Sequence, residues 1–470
     1  MKKYDGKGVT VAIVDAYASP TLLADSNRYA ANHGLKKLTT GENFSEIIPI
    51  GIYDVSPDEP CGPYGWWTEQ SLDMAAVHGA APGANIVFIG SRDCNESLDI
   101  ALINAAYNHV ADVITNSYGY NGESIAPGQE TMDDQALMAA ATQGTTVLFS
   151  SGDDGDLAEL NGVASGAWPA TSAYVTGVGG TSLFLNADGT KSEYGWGTYR
   201  DFLADAKVNS AKSVTTSGLV TTSNFGYTYD DFTFYAGSGG GISLLSPQPA
   251  YQASVVPNTL ATTLNLASGY TEPLPSPQRV SPDVAMVADP YTGYLYGETF
   301  TIAGSKYADA GCTPISKTEE YCEQGEGGTS LSSPLMAGVI AIMNQQRAAA
   351  GEPLVGFANP LFYSNYGSGG SGLTTRGLNQ IVAPAEPVAV LRGYANPAEG
   401  LPPRVVTVNS VPFDIIPAPF GLFACSIAIC EGVDDVFNYV ALSSAAGTPA
   451  GYNDVTGLGV PYLPKLIKEE

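Results

Sequence analysis

The segment Gly327-Gly328-Thr329-Ser330-Leu331-Ser332-Ser333-Pro334 sets a hydroxyl at a glycine-rich turn just before an apolar run, Leu335 to Met343. Glycines allow a tight turn and a close approach of backbone to substrate, and Pro334 suits the first turn of a helix. Amide donors at such a helix start can steady a developing negative charge. That setting suits a nucleophile, Ser330. A hydroxyl does not attack unaided, so a base must come from elsewhere in the chain.

The chain has three histidines, His33, His78 and His109. His78 lies in His78-Gly79-Ala80-Ala81-Pro82-Gly83-Ala84, the end of a helix and the start of a strand, where capping or packing is the expected role. The same predicted helix, Thr68 to His78, carries Glu69 and Asp73 four residues apart and therefore on one face. Two carboxylates that close cannot both ionise freely in a partly dry cleft, so one can accept and return a proton in acid. A histidine below its usual pKa of about 6.5 is already protonated and cannot serve as a base. The ordinary reading of such a pair is a solvated helix face, so the pair needs support from other segments.

Charge agrees with work in acid. The 470 residues hold 20 Lys+Arg against 47 Asp+Glu, a net charge of −27, which argues against nucleic acid or an anionic membrane as partner. Self-repulsion among so many carboxylates falls as protons arrive, although simple solubility or salt tolerance would favour the same balance. Hydrophobic residues make up 44%, enough for a sizeable core, and no apolar run approaches the roughly 18 residues that span a bilayer. Met1-Lys2-Lys3 leads into the strand-like Val9 to Val14 and not into a signal-peptide core. Six cysteines favour secretion, with Cys312 near Cys322, Cys425 near Cys430, and Cys61 left with Cys94; reduced, buried thiols are the alternative.

The elements that must position these groups alternate. Val11 to Val14, Ile86 to Ile89, Val113 to Thr115 and Thr146 to Phe149 read as buried parallel strands, with helices at Thr68 to His78 and Leu98 to Asn108. The pattern predicts an α/β fold, a doubly wound, mostly parallel sheet with helices on both faces. Chemistry then belongs at the carboxyl ends of strands, where Asp15, Asn116 to Gly119 and Ser150 to Asp153 fall. Residues 1–470 are expected to form one catalytic domain, with irregular surface elaborations near 186–251 and 360–413.

Gly-Thr-Ser at 328–330 resembles the signature of the subtilisin clan. Glu69 to Asp73, Ser150-Ser151-Gly152-Asp153 and Gly328-Thr329-Ser330, in that order, resemble the sedolisin family, the serine-carboxyl peptidases with a subtilisin-like fold. Val178 to Ser182, Gly237 to Gly241, Arg279 to Val284, Ala288-Asp289-Pro290 and Thr456 to Gly459 are similar to further landmarks of that family. The resemblance implies that Ser330 is the nucleophile, Glu69 the general base and acid, and Asp73 the partner that orients Glu69 and shares its proton. Asp153 would complete the oxyanion hole as a protonated donor, with Asp154 beside it as the alternative. Ser117, Tyr118 and Gly119 would lie along the substrate as an extended edge.

Gly179-Gly180-Thr181-Ser182-Leu183 repeats the residues 327–331 but runs on into a strand and turn, so Ser182 is expected to be structural. Ser332 and Ser333 read as helix-capping hydroxyls. The resemblance also implies one structural Ca2+, held by Asp414, Ile415, Pro449, Gly451 and Asn453, with Asn453 standing where the family has an aspartate and Asp454 displaced by one position. It implies protein or peptide substrates and an N-terminal inhibitory prosegment in the precursor; a secreted protein, from the cysteines, and a monomer are expected. Two readings from other classes stand beside the acid peptidase: a catalytically inactive relative that binds, and a carboxylate-pair glycosidase, whose acids usually flank a sugar from opposite sides.

Overall fold

A computed structural model of the chain describes residues 4–50, 62–185, 189–202, 233–290, 292–301, 312–366, 377–381, 388–393, 404–407, 435–439 and 451–467. Its centre is a parallel sheet built from β1 (Thr10–Ala16), β2 (Phe44–Ile47), β3 (Asn85–Ser91), β4 (Val113–Asn116), β5 (Thr146–Ser150), β6 (Thr176–Leu185) and the strand Val284–Val287. In space the order is Val284–Val287, β6, β5, β4, β1, β3, β2, and these neighbours pair in parallel; β7 (Lys191–Gly195) returns antiparallel along β6. The doubly wound reading therefore holds. β-branched runs such as Val11 to Val14 are wholly buried because helices cover both faces.

On one face α1 (Leu22–His33), α2 (Pro63–Ala80) and the long helix Thr329–Ala349 pack Leu22, Met74, Val77, Met336 and Ile340 against Val11, Ile13 and Phe88. On the other, α3 (Glu96–Tyr107) and α4 (Gln129–Gln143) pack Leu98, Leu102, Leu137 and Ala140 against Val14, Ile114 and Phe149. Each Val, Leu, Ile, Met or Phe among them contributes about 1.5–3 kcal/mol on burial. On the first face α2 and the long helix approach closely at Gly338, where a Cβ would stand 2.4 Å from that of Ala80. Gly338 thus sets the spacing between the helix that carries Glu69 and Asp73 and the helix that carries Ser330.

Two expectations about that helix are corrected. It begins at Thr329, so Pro334 lies inside it and not in its first turn. Gly328 occupies the cap, and Ser332 and Ser333 cap nothing: Ser332 donates to the carbonyls of Met286 and Val287 (3.1 and 3.0 Å), and Ser333 meets Thr115 Oγ1 at 2.8 Å. Both hydroxyls tie the helix to the sheet because they sit on its buried side. The stretches read as irregular contain strands. Gly197–Phe202 and Thr233–Gly237 join Val388–Gly393, Arg404–Thr407 and Asp435–Tyr439 in a five-stranded antiparallel sheet, so segments far apart in sequence pair with one another.

Candidate active site

β1, β4 and β5 end side by side, which brings Asp15, Ser117 and the loop after Ser150 to one rim of the sheet. α2 is fastened to that rim by Gln70, whose Nε2 donates to the Ala16 carbonyl (2.6 Å) while its Oε1 accepts from Ser19 N (2.8 Å). This fixes Glu69 and Asp73 over the strand ends. Ser330, in the first turn of the long helix, stands with Glu69 on the wall of one cleft, where its hydroxyl favours the ionised carboxylate. Glu69 Oε1 is buried without a partner, as is expected of a group that awaits a proton or a substrate.

Burial, then the neighbouring Asp15, lifts Glu69 well above the ordinary carboxylate range; burial, Asp15 and Glu69 do the same to Asp73. Asp15 is itself fully buried, neither of its oxygens has a hydrogen-bond partner, and burial pushes its pKa up to about 8. The sequence places Asp15 at a strand end but leaves no local mark of a part in the site. The site thus holds three carboxyls from β1 and α2 that repel one another and compete for protons.

Asp153 faces Ser330 from the other side. Its Oδ1 accepts from Thr329 N (2.7 Å) and Thr329 Oγ1 (2.8 Å), and Oδ2 lies beside Gly328, where a Cβ would approach to 2.7 Å. Gly328, at φ +88°, leaves that space open. Burial raises the Asp153 pKa. Asp154 is exposed on the same wall, so Asp153 is the better placed of the two.

A cleft of about 350 Å³ opens over these groups, lined by Glu69, Asp153, Asp154, Glu326 and Ser330 together with Trp196 and other residues. Glu326, raised to about 7 chiefly by burial, was missed from the sequence, although it stands directly before the Gly-Gly turn. Ser117, Tyr118 and Gly119 do not line the cleft. Ser117 is turned to Asp73, and the Tyr118 ring packs on Trp66 and Phe149 with its hydroxyl on Asn116 Oδ1. Gly119 is exposed, and its backbone passes so near Trp168 that a Cβ would stand 2.9 Å from the carbonyl.

No histidine reaches the cleft. His78 Nε2 meets the Lys36 carbonyl at 2.6 Å, His33 pairs with Glu323 at 3.0 Å, and His109 meets Thr145 Oγ1 at 2.7 Å. Ser182, the repeated motif's serine, is buried in β6 and donates to Asp289 Oδ2 at 2.6 Å.

Of the candidate calcium ligands, Asp414, Ile415 and Pro449 lie outside the described residues, as do Cys61, Cys425 and Cys430. Asn453 Oδ1 accepts from Val455 N (3.0 Å), Thr456 N (2.8 Å) and Thr456 Oγ1 (3.1 Å). An amide oxygen that already accepts from three donors has no lone pair left for a calcium ion; it closes the loop 453–456 instead. Cys312 and Cys322 are joined by a disulfide, and Cys94 is also disulfide-bonded. Among the described residues, no helix is long and apolar enough to cross a membrane.

Residues 56–354 match the Subtilase family. The chain belongs to that family, on its sedolisin branch. This sedolisin-type subtilase is 27% identical over 370 residues to kumamolisin of Bacillus sp. (strain MN-32), covering 76% of this chain and 52% of that protein. It is 28% identical over 320 residues to tripeptidyl-peptidase 1 of Rattus norvegicus, covering 64% and 43%. The chain thus spans about half the length of the curated relatives it matches. In fold it is similar to Pseudomonas sedolisin, a serine-carboxyl proteinase complexed with two molecules of pseudo-iodotyrostatin, at a TM-score of 0.52 and 23% identity over 81% of this chain and 88% of that one.

Proposed function

We propose that the chain is a serine-carboxyl peptidase that hydrolyses peptide bonds of protein or peptide substrates in acid through an acyl-enzyme on Ser330. The observation that carries this reading is that Ser330 and Glu69 line one cleft that all three histidines stand away from. Ser330 Oγ attacks the scissile carbonyl carbon as its proton passes to Glu69. Asp73 holds Glu69 in place and shares the proton. As the tetrahedral intermediate collapses, Glu69 gives the proton to the leaving amine, and a water then repeats the sequence to free the acyl group.

Asp153 supplies the oxyanion donor. With Oδ1 occupied by the two Thr329 donors, a proton on this carboxyl sits on Oδ2, which faces the cleft, and an O–H there can bond the developing oxyanion. The reaction therefore needs Glu69 able to accept a proton while Asp153 still holds one. Extended substrate would meet the backbone near Gly119, since the side chains of Ser117 and Tyr118 are engaged inward. The candidate calcium site takes no part in these steps.

We further propose secretion, in keeping with the Cys312–Cys322 disulfide, a monomer, and a precursor whose prosegment inhibits the cleft. The deciding experiment is hydrolysis of an unstructured protein between about pH 3 and pH 8 with Ser330→Ala alongside. An acid optimum lost in the variant supports the proposal; activity confined to neutral pH, or retained by the variant, overturns it.

A further inference from the structure

We infer that Ser117 is a positioning residue that couples the proton on Asp73 to the backbone of the nucleophile, an inference that rests on the peptidase reading above. The Ser117 hydroxyl is buried and lies 2.9 and 2.8 Å from the two oxygens of Asp73 and 3.0 Å from the carbonyl of Ser330. A serine hydroxyl has one proton to give and can accept at the same oxygen. Three acceptors are thus in reach of a single donor.

The third acceptor is free because of Pro334. In an α-helix the carbonyl of residue 330 takes the amide hydrogen of residue 334. Proline has none, and Pro334 sits inside the helix. The Ser330 carbonyl is therefore left to Ser117, which reaches it from the end of β4.

Two arrangements follow. While Asp73 is ionised, it attracts the Ser117 proton, and the Ser330 carbonyl goes without its donor. When Asp73 is neutral, its own O–H donates to Ser117 Oγ and Ser117 turns its proton to the Ser330 carbonyl. Only the hydroxyl rotates; no bond to Ser117 is made or broken. A proton that reaches the Glu69/Asp73 pair from the nucleophile therefore tightens the helical turn that carries the nucleophile. The charged groups facing Asp73 are Asp15 from β1 and Glu69 on its own helix, and Glu69 faces Asp153 and Glu326 in turn. With repelling carboxylates on these sides, the Ser117 hydroxyl is the neighbour that favours the ionised form of Asp73.

The test measures kcat and KM against pH for the wild type, Ser117→Ala, Ser117→Thr and Pro334→Ala, with the fraction of reactive Ser330 counted by a fluorophosphonate. In Ser117→Ala we expect kcat to fall about tenfold, KM to stay within about twofold, and the acid limb to move to higher pH. Ser117→Thr restores all three. Pro334→Ala supplies the missing amide hydrogen, releases the Ser117 proton to Asp73, and moves the acid limb to lower pH. A KM effect alone in Ser117→Ala, shifts of the same sign in the alanine variants, or no shift overturns the inference. Absence of turnover in the wild type at every pH would instead sink the peptidase reading. The infrared C=O band of the carboxyl lost in Asp73→Asn then decides: opposite displacements in Ser117→Ala and Pro334→Ala uphold the coupling, and an unmoved band overturns it.

Discussion

Arg279 and Asp283 form an ion pair that solvent does not reach: Nη2 lies 2.7 Å from Oδ2, and both side chains are 0% exposed. The pair is stitched into the fold, since Asp283 also accepts from Gly177 N and Tyr363 OH while Arg279 donates to the carbonyls of Ala170 and Val175. It joins β6, the strand Val284–Val287 and the helix Asn359–Asn365 behind the active-site rim. Removing either partner leaves an uncompensated buried charge, so Arg279→Met and Asp283→Leu should each lose about 3–5 kcal/mol in urea unfolding, and the double variant should recover much of that. Additive losses in the double variant would show that the pair does not act as a unit.

In its proposed part as oxyanion donor Asp153 must hold a proton: an amide donates at any pH, whereas a carboxyl donates only when protonated. Asp153→Asn can keep Oδ1 on Thr329 and point its Nδ2 into the cleft. Turnover should fall about ten- to a hundredfold, while the alkaline limb of the pH profile moves to higher pH. An alkaline limb unchanged in Asp153→Asn would assign that limb to another group, with Glu326 the next to try.

Asp15 raises the pKa of both Glu69 and Asp73. Asp15 repels them only once it has lost its own proton, near pH 8, so Asp15→Asn, which keeps the shape and removes that charge, should leave the acid limb of kcat/KM in place. Initial rates on one peptide substrate read the limb. An acid limb displaced to lower pH in Asp15→Asn would show that Asp15 is already ionised in acid.

Stability should fall as pH rises. Burial lifts Asp15 to about 8, Glu298 and Glu326 to about 7, and Asp99 to about 6, and raises Glu123, Asp133 and Glu193 as well. In the unfolded chain the same acids titrate near 4, so between about pH 4 and 8 the folded state binds more protons. The stabilisation is complete below the unfolded values and is lost as pH passes through the folded ones. Thermal unfolding should therefore give a lower Tm at about pH 8 than at about pH 4, and Glu298→Gln should flatten the slope. An equal or higher Tm at the alkaline end would contradict this.

The sheet was legible in the sequence because its strands are continuous β-branched runs, buried on both faces, with helical spacing between them. Glu69, Asp73 and Ser330 were legible because a helix period and a glycine turn leave local marks. Asp15 and Glu326 were not, since a carboxylate's burial is decided by elements distant in sequence. Ser117 illustrates the same limit: the motif marks it as a substrate edge, but the packing of β4 against α2 turns its hydroxyl to Asp73. The five-stranded accessory sheet escaped the reading because its short strands pair across long stretches of chain.

Glu69, Asp153 and Ser330 come from the middle of α2, the loop after β5 and the start of a helix beyond residue 328, so their meeting depends on the closure of nearly the whole sheet. A partly synthesised chain has the base without the nucleophile. Contacts so distant in sequence also form late and slowly. On the proposed peptidase reading, the chain's topology acts as a timer that withholds hydrolysis until little unfolded backbone of its own remains to be cut.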